Sequence, residues 1–450
     1  MSKFRIVGGK ELSGSIEPQG AKNEALQIVA SSVIVRKLKI INCPNILDIR
    51  NILLILEKGG ALVKWEKVDT TEKDFKSYKN ILYIDTNNLN EKFFESEEYF
   101  QMAEKLRGSL MLMGPLLSRF QKAFIPSTGG DKIGKRPIDT HISSFLKIGV
   151  ALRTDNRDYE YLFIEKDKMI KNQEVLLEEA SVTGTANLIM ASTIGSENIT
   201  IFNVASETYI SQLISLLNNS GMNIEGAGSN RIVLNGSILT SFEKEIEHTV
   251  LPDFVEVASF VALAIATKSS ILIKNAGVKY LGQTLKMFDY LGCKYEIIGD
   301  DINVLKLDKY NIAPMMDGSI RYIYSSPWPM ISPDILSVGI VASLQCEGSV
   351  LWHEKMYEAR MFFVDKLIAM KANVVLCDPH RVVVIGNNWK SKLVSRKMSS
   401  PDIRAGIALL IATLGASGVS EIENIDQIDR GYERIEERLA TLGAQIERLE

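Results

Sequence analysis

Four cysteines, four histidines and four tryptophans in 450 residues leave little material for disulfide or metal chemistry. Cys43, Cys293, Cys346 and Cys377 lie far apart, with no CxxC pair and no histidine at a metal-binding spacing, so neither a disulfide framework nor a metal site is expected. Long apolar runs are also missing. The longest, Ala258 to Ala266 and Ile407 to Leu414, fall well short of the ~20 residues a membrane helix needs and read as core segments. The opening MSKFRIVGGK carries neither the apolar stretch nor the cleavage pattern of a signal peptide, which makes a cytoplasmic protein with no membrane span the expectation. Nor does one charge dominate: 52 Lys and Arg against 55 Asp and Glu leave a formal charge of -3, without the broad basic field on which nucleic-acid binding rests. Any anion site must therefore be local. What remains, 46% hydrophobic and 24% charged, is the balance of a globular chain, and 450 residues exceed one ordinary core, so two or three domains are expected.

A repeat organises the chain. Segments from Leu38 to Trp65, Ile199 to Ile224, Ile271 to Tyr295 and Val419 to Leu449 share one pattern, and Val350 to Leu376 is a weaker copy. In each a β-branched strand gives way to an amphipathic helix, a glycine turn and a second strand. Ahead of each copy stands a helix apolar on nearly every face, beginning near Leu26, Asn187, Val257, Ile335 and Ile407, with the stretch from Ser109 as a sixth, preceding a turn region at Ser143 to Val150. A helix apolar all round is enclosed by protein. Six such units of roughly 75 residues predict an α/β fold of two similar domains, three units each, with helices inside and sheets outside.

The starts of these helices carry the chemistry. They read Ala21-Lys22-Asn23-Glu24, Leu106-Arg107-Gly108, Ser181-Val182-Thr183-Gly184, Leu251-Pro252-Asp253, Ser332-Pro333-Asp334 and Ser400-Pro401-Asp402-Ile403-Arg404. Asp253, Asp334 and Asp402 suit simple capping. Lys22, Arg107 and Arg404 do not, because a cation at a helix N-terminus opposes the macrodipole and calls for an anion beside it. If the six helices point the same way, their positive ends and these cations converge into a phosphate site. A second concentration is the glycine-rich stretch from Pro126 to His141, with Asp131, Lys132, Lys135 and Arg136. It lacks the spacing of a P-loop and reads as a basic active-site lid over residues 126–137. His141 alone suits a structural role.

The chain resembles the UDP-N-acetylglucosamine enolpyruvyl transferases through GAKNEAL from Gly20, LRGS from Leu106, GGDKIGKRPIDTH from Gly129, SVTGT from Ser181, LPD from Leu251, P-x-P-x-x-x-P-D ending at Asp334, SPDIRAG from Ser400 and IDRGYERIE from Ile428. The resemblance runs from Phe4 to Arg448. It implies a two-domain inside-out α/β barrel, three βα repeats per domain, with residues 22–248 as one domain and residues 1–21 plus 249–450 as the other. It implies transfer of the enolpyruvyl group of phosphoenolpyruvate to the 3-hydroxyl of UDP-N-acetylglucosamine with release of phosphate, without cofactor or metal, by a monomer or weak homo-oligomer. By the same resemblance Lys22 and Asn23 hold both substrates. Arg107, Arg136 and Arg430 contact phosphoenolpyruvate and diphosphate, and Asp402 and Arg404 form a charged pair in the cleft. Ser181, Val182, Thr183 and Gly184 bind the diphosphate, Asp334 is the base, and Pro137, Asp139, His141 and Arg360 lie near the substrates. The alternatives are a shikimate-pathway sister enzyme, whose LGNAGTA-type loop is absent, and a non-catalytic nucleotide-sugar-binding paralogue.

Several positions depart from the family pattern. Asp131 stands where many members carry a reactive cysteine, which implies an altered proton donor and resistance to the epoxide fosfomycin, a carboxylate being a far weaker nucleophile than a thiolate. Leu47, Tyr209, Phe254 and Phe363 replace residues of other character and put details of nucleotide-sugar contact in doubt.

Overall fold

The computed structural model describes residues 2–72, 75–126, 133–155, 160–164, 173–194, 198–236 and 244–450. Two sets of three buried helices form its centres. Lys22–Val35, Met113–Phe120 and Val182–Ala191 pack on one another, as do Phe254–Ala266, Pro333–Ser343 and Ile403–Gly415. Every residue of Phe254–Ala266 is buried, as a helix apolar at all positions but Glu256 and Ser259 requires. Contact within the first set is close enough to demand glycine: a Cβ on Gly114 would lie 2.2 Å from the backbone oxygen of Asn187. The Asn187 side chain completes the joint, accepting from Gly114 N at 2.8 Å and donating to Leu110 O at 2.9 Å, so its buried amide is satisfied at both ends.

Around each set stand three of the six sheets found among the described residues. The repeat is seen in the elements: strand, amphipathic helix, strand recur at Lys37–Ile41, Leu47–Lys58 and Leu62–Glu72, and again at Ile199–Phe202, Thr208–Asn219 and Ile224–Glu225. The stretch Ser143 to Val150, expected as a turn, instead ends the helix Asp139–Lys147 and opens the strand Val150–Thr154. Its apolar positions Phe145 and Ile148 are buried in the core, which a surface turn would not achieve.

Two chain crossings join the lobes. Strand Lys3–Gly8 sits between Gly418–Glu423 and Gln445–Leu449, antiparallel to both, with Phe4 opposite Ile422 and Arg448. Ser13–Ile16 runs parallel to Ser270–Ile273. In the other direction, Ile246–Thr249 pairs with Lys37–Ile41. Where the two connections pass, they bond to each other: Ala21 N donates to Leu251 O and Asp253 N to Gln19 O, each at 2.8 Å. Glu24, fully buried, ties this crossing down by accepting from Leu251 N at 3.2 Å and bonding His248 Nε2 at 2.9 Å; burial raises its carboxyl above the usual range. No helix among the described residues is long and apolar enough to cross a membrane.

Candidate active site

Lys22 opens its helix with no side chain capping it, and the anion its charge calls for is Asp48, in the first turn of Leu47–Lys58. Lys22 Nζ lies 2.5 Å from Asp48 Oδ2, with both side chains almost wholly buried. The same carboxylate receives Arg430 from the other lobe, at 2.9 Å from Nε and 3.4 Å from Nη2. Burial alone would raise the Asp48 carboxyl, yet the two cations outweigh it and hold the group below its ordinary value. Backbone and side chain meet here too, since Lys22 N donates to Asp253 Oδ2 at 3.3 Å while Asp253 Oδ1 caps its own helix through Val255 N. Asp253 is thus a cap, as expected, and also a tie between the two helix starts.

Asp334 forms the second node. Ser332 rather than Asp334 caps the helix Pro333–Ser343, accepting from Asp334 N at 3.3 Å. That frees the carboxylate, whose Oδ1 accepts from Arg360 Nη2 at 3.0 Å and Oδ2 from Arg404 Nη2 at 3.1 Å. Burial pushes its pKa upward, but the guanidiniums of Arg404 and Arg360 win and leave it at about 2. The Asp402 carboxylate caps the helix by accepting from Arg404 N and Ala405 N, while the Arg404 guanidinium crosses to Asp334 and approaches the Tyr432 hydroxyl.

Arg360 is 6% accessible, and its Nε and Nη1 are buried with no hydrogen-bond partner among the described residues. An orphaned buried guanidinium donor is costly unless a ligand or water meets it. The Tyr357 ring lies 4.9 Å from this guanidinium. Beyond it come Arg136 and Arg107, the latter donating from Nη2 to Arg136 O at 3.0 Å. Burial first, and the neighbouring Arg136 charge second, lower the Arg107 pKa to about 10. His141 continues the line. Its Nε2 is 3.0 Å from Thr183 Oγ1, and burial with the Arg107 charge lowers its pKa to about 4, so it is neutral at pH 7. Ser181 caps Val182–Ala191 by accepting from Gly184 N, leaving Val182 and Thr183 in the half-exposed first turn.

The helix starts thus gather three linked groups of charge, Lys22 with Asp48 and Arg430, Asp334 with Arg360 and Arg404, and Arg107 with the Arg136 backbone. Asn23 is half-exposed beside Lys22, and Pro137 and Asp139 are exposed at the start of Asp139–Lys147. Asp131 and Lys132 lie outside the described residues. Immediately after them Ile133 is buried, its carbonyl accepting from Ala359 N of the opposite lobe at 3.0 Å. Of the departures, Leu47 is 36% exposed next to Asp48, Phe363 is buried in the core, and Tyr209 and Phe254 are buried against each other. Sequence reasoning missed Asp48, Glu354 and Tyr357. Glu354 is wholly buried beside Arg360 and accepts from Ser325 Oγ, Met356 N and Tyr357 N, which shapes the turn that delivers Arg360. No three His, Cys, Asp or Glu side chains among the described residues gather as a metal ligand set.

Comparison with known proteins agrees with this arrangement. The family model for EPSP synthase (3-phosphoshikimate 1-carboxyvinyltransferase) matches residues 6–439. The UDP-N-acetylglucosamine 1-carboxyvinyltransferase of Bacteroides thetaiotaomicron is 45% identical over 450 residues, covering 100% of both chains. That of Porphyromonas gingivalis is 43% identical over 452 residues, again covering 100% of both. Among solved structures, the enolpyruvyl transferase NikO from Streptomyces tendae has a TM-score of 0.81 at 19% identity, covering 100% of this chain and 99% of that one. An EPSP synthase from Acinetobacter baumannii has a TM-score of 0.70 at 15% identity, covering 100% of both. The structural likenesses carry the inside-out α/β fold, and the sequence identities carry the kinship: this chain belongs to the enolpyruvyl transferase family, in the branch of the UDP-N-acetylglucosamine 1-carboxyvinyltransferases.

Proposed function

We propose that the cleft transfers the enolpyruvyl group of phosphoenolpyruvate to the 3-hydroxyl of UDP-N-acetylglucosamine and releases inorganic phosphate, the first committed step toward peptidoglycan, in the cytoplasm. The observation that carries this reading is the gathering of Lys22, Arg430, Arg360 and Arg404 on the carboxylates of Asp48 and Asp334, with two donors of Arg360 lacking a partner among the described residues. Such a site suits a small donor bearing both carboxylate and phosphate, because planar guanidiniums match both groups. Arg360 and Arg404 take the carboxylate, Lys22, Arg136 and Arg430 the phosphate, and Arg107 with the Ser181–Gly184 turn the diphosphate of the sugar nucleotide. His141, neutral, orients Thr183 in that turn. Asn23, Pro137, Asp139 and Asp402 line or shape the walls. The lobes are residues 22–248 and residues 1–21 plus 249–450, and the working form is a monomer or a weak homo-oligomer.

The reaction runs by addition and elimination. Asp334 removes the proton of the sugar hydroxyl, whose oxygen bonds to C2 of phosphoenolpyruvate while a proton is added at C3. The tetrahedral phospho-ketal then loses a proton from C3, and the C2–O bond to phosphate breaks to restore the double bond. Lys22 and the arginines stabilise the charge on the departing phosphate. In the resting cleft Asp334 is held as a very weak base by two guanidiniums. When the donor's carboxylate takes over those guanidiniums, Asp334 is released and its basicity rises toward that of an ordinary carboxylate. Asp131 serves as the proton donor for C3, on the strength of its place in the GGDKIGKRP sequence.

One assay decides. Phosphate release on mixing the protein with phosphoenolpyruvate and UDP-N-acetylglucosamine is expected, and loss of it in both Lys22→Met and Asp334→Asn. Turnover with shikimate 3-phosphate in place of the nucleotide sugar would move the chain to the sister activity, and binding without phosphate release would make it a non-catalytic relative.

A further inference from the structure

Two of the departures from the family pattern touch each other. Tyr209, in the first turn of Thr208–Asn219 on one lobe, stacks on Phe254, the first residue of Phe254–Ala266 on the other, with ring centroids 6.0 Å apart and planes 20° from parallel. Phe254 in turn meets the Trp328 ring at 6.0 Å. Two residues before Tyr209 comes Glu207, whose carboxylate is acted on by the backbone N–H of Trp328, and before that Ser206, whose hydroxyl donates to Trp328 O at 3.2 Å. One lobe thus grips the Trp328 backbone while an aromatic stack reaches its ring. The gripped segment is short and self-closed, with Ser326 N donating to Ile331 O at 3.0 Å. It then passes directly into Ser332, held by Gln283 Oε1 at 2.9 Å from its N–H, and so to Asp334. Tyr209 is itself buried, and the charges of Asp253, Asp334 and Arg404 act on its hydroxyl.

We propose that Ser206, Tyr209, Phe254 and Trp328 form an interlobe clamp that steadies the loop leading into Asp334, which makes Tyr209 and Trp328 positioning residues of the reaction. The inference rests on the reading of Asp334 as the base. The physical ground is mechanical: a loop tied to one lobe by a hydrogen bond and to the other by ring contact has one defined position when both grips are made, and loses that position when either lets go. Aromatic pairs of this kind contribute beyond the area they bury, enough to select one loop position without welding the lobes shut.

The test uses the full chain labelled with 5-fluorotryptophan, the Trp328 resonance being assigned by its loss in Trp328→Phe. Tyr209→Ala is expected to shift or broaden the Trp328 line and to lower kcat about tenfold, about 1.4 kcal/mol, with KM for both substrates within twofold of the parent. Tyr209→Phe, which keeps the ring, restores both the line and kcat. An unmoved Trp328 line in Tyr209→Ala, an unchanged kcat, or a Tyr209→Phe variant as impaired as Tyr209→Ala would overturn the clamp. If the parent protein turns over neither substrate pair while the Trp328 line still responds to Tyr209→Ala, the activity reading has failed, and the positioning of a base fails with it.

Discussion

Asp48→Asn is the sharpest perturbation of the cleft, because it keeps the shape of the side chain and removes only the charge between Lys22 and Arg430. Opposite charges about 3 Å apart attract by roughly 5 kcal/mol at an effective dielectric of ~20, much of which is offset by the cost of burying them. Removing one partner leaves that cost uncompensated, for which roughly 3–5 kcal/mol is usual. Arg430 keeps its bond to Gln427 at 2.9 Å and some solvent access, whereas Lys22 has little, so the lower end, about 3 kcal/mol, is the expected loss. Equilibrium unfolding in urea at pH 7 measures it. The second readout is specific to an anion site: inorganic phosphate should raise the unfolding midpoint of Asp48→Asn more than that of the parent, since Lys22 and Arg430 then lack an internal counter-charge and attract an external anion more strongly. The pH dependence carries a sign as well. The folded pKa of Asp48 is depressed below the unfolded ~3.9. Its contribution is therefore complete above that value and lost as pH falls through the folded pKa, so parent and variant should converge in strong acid. A loss below about 1 kcal/mol, or equal phosphate responses, would refute the view of Asp48 as the internal counter-ion of a substrate site.

Two further outcomes are expected. Incubation with fosfomycin should leave the intact mass unchanged, while Asp131→Cys should gain one covalent equivalent; a stoichiometric adduct on the parent would refute the carboxylate's protective role. His141 takes a proton in the unfolded chain near ~6.5 but in the folded one only near 4. Stability should consequently fall as pH drops from 6.5 toward 4, and His141→Gln should flatten that part of the curve; an unchanged slope would show that another group is responsible.

The sixfold architecture was legible because it is written in period: all-apolar helices and strand-to-helix switches recur in step, and every one of those helices is found. Lys22, Arg107 and Arg404 stood out because a cation at a helix N-terminus has no local reason to be there. Asp48 was illegible for the opposite reason. An aspartate in a first helical turn is what local physics prefers, and its partner Arg430 is 382 residues away. The reach of the Arg404 guanidinium across to Asp334 was hidden in the same way, the two residues standing 70 apart in sequence. Glu354 and Tyr357 were hidden because turn-shaping roles depend on where the turn is carried, which no spacing reveals.

The placement of strand Lys3–Gly8 has a consequence for biogenesis. Its partners, Gly418–Glu423 and Gln445–Leu449, are made more than 400 residues later. At ~5–20 residues per second, the opening strand waits roughly 20–80 seconds for them after leaving the ribosome. Throughout that interval Phe4 and Ile6, both fully enclosed in the finished protein, have no native neighbours. Moving these few residues to follow Gln445–Leu449 by circular permutation should shorten that exposed interval.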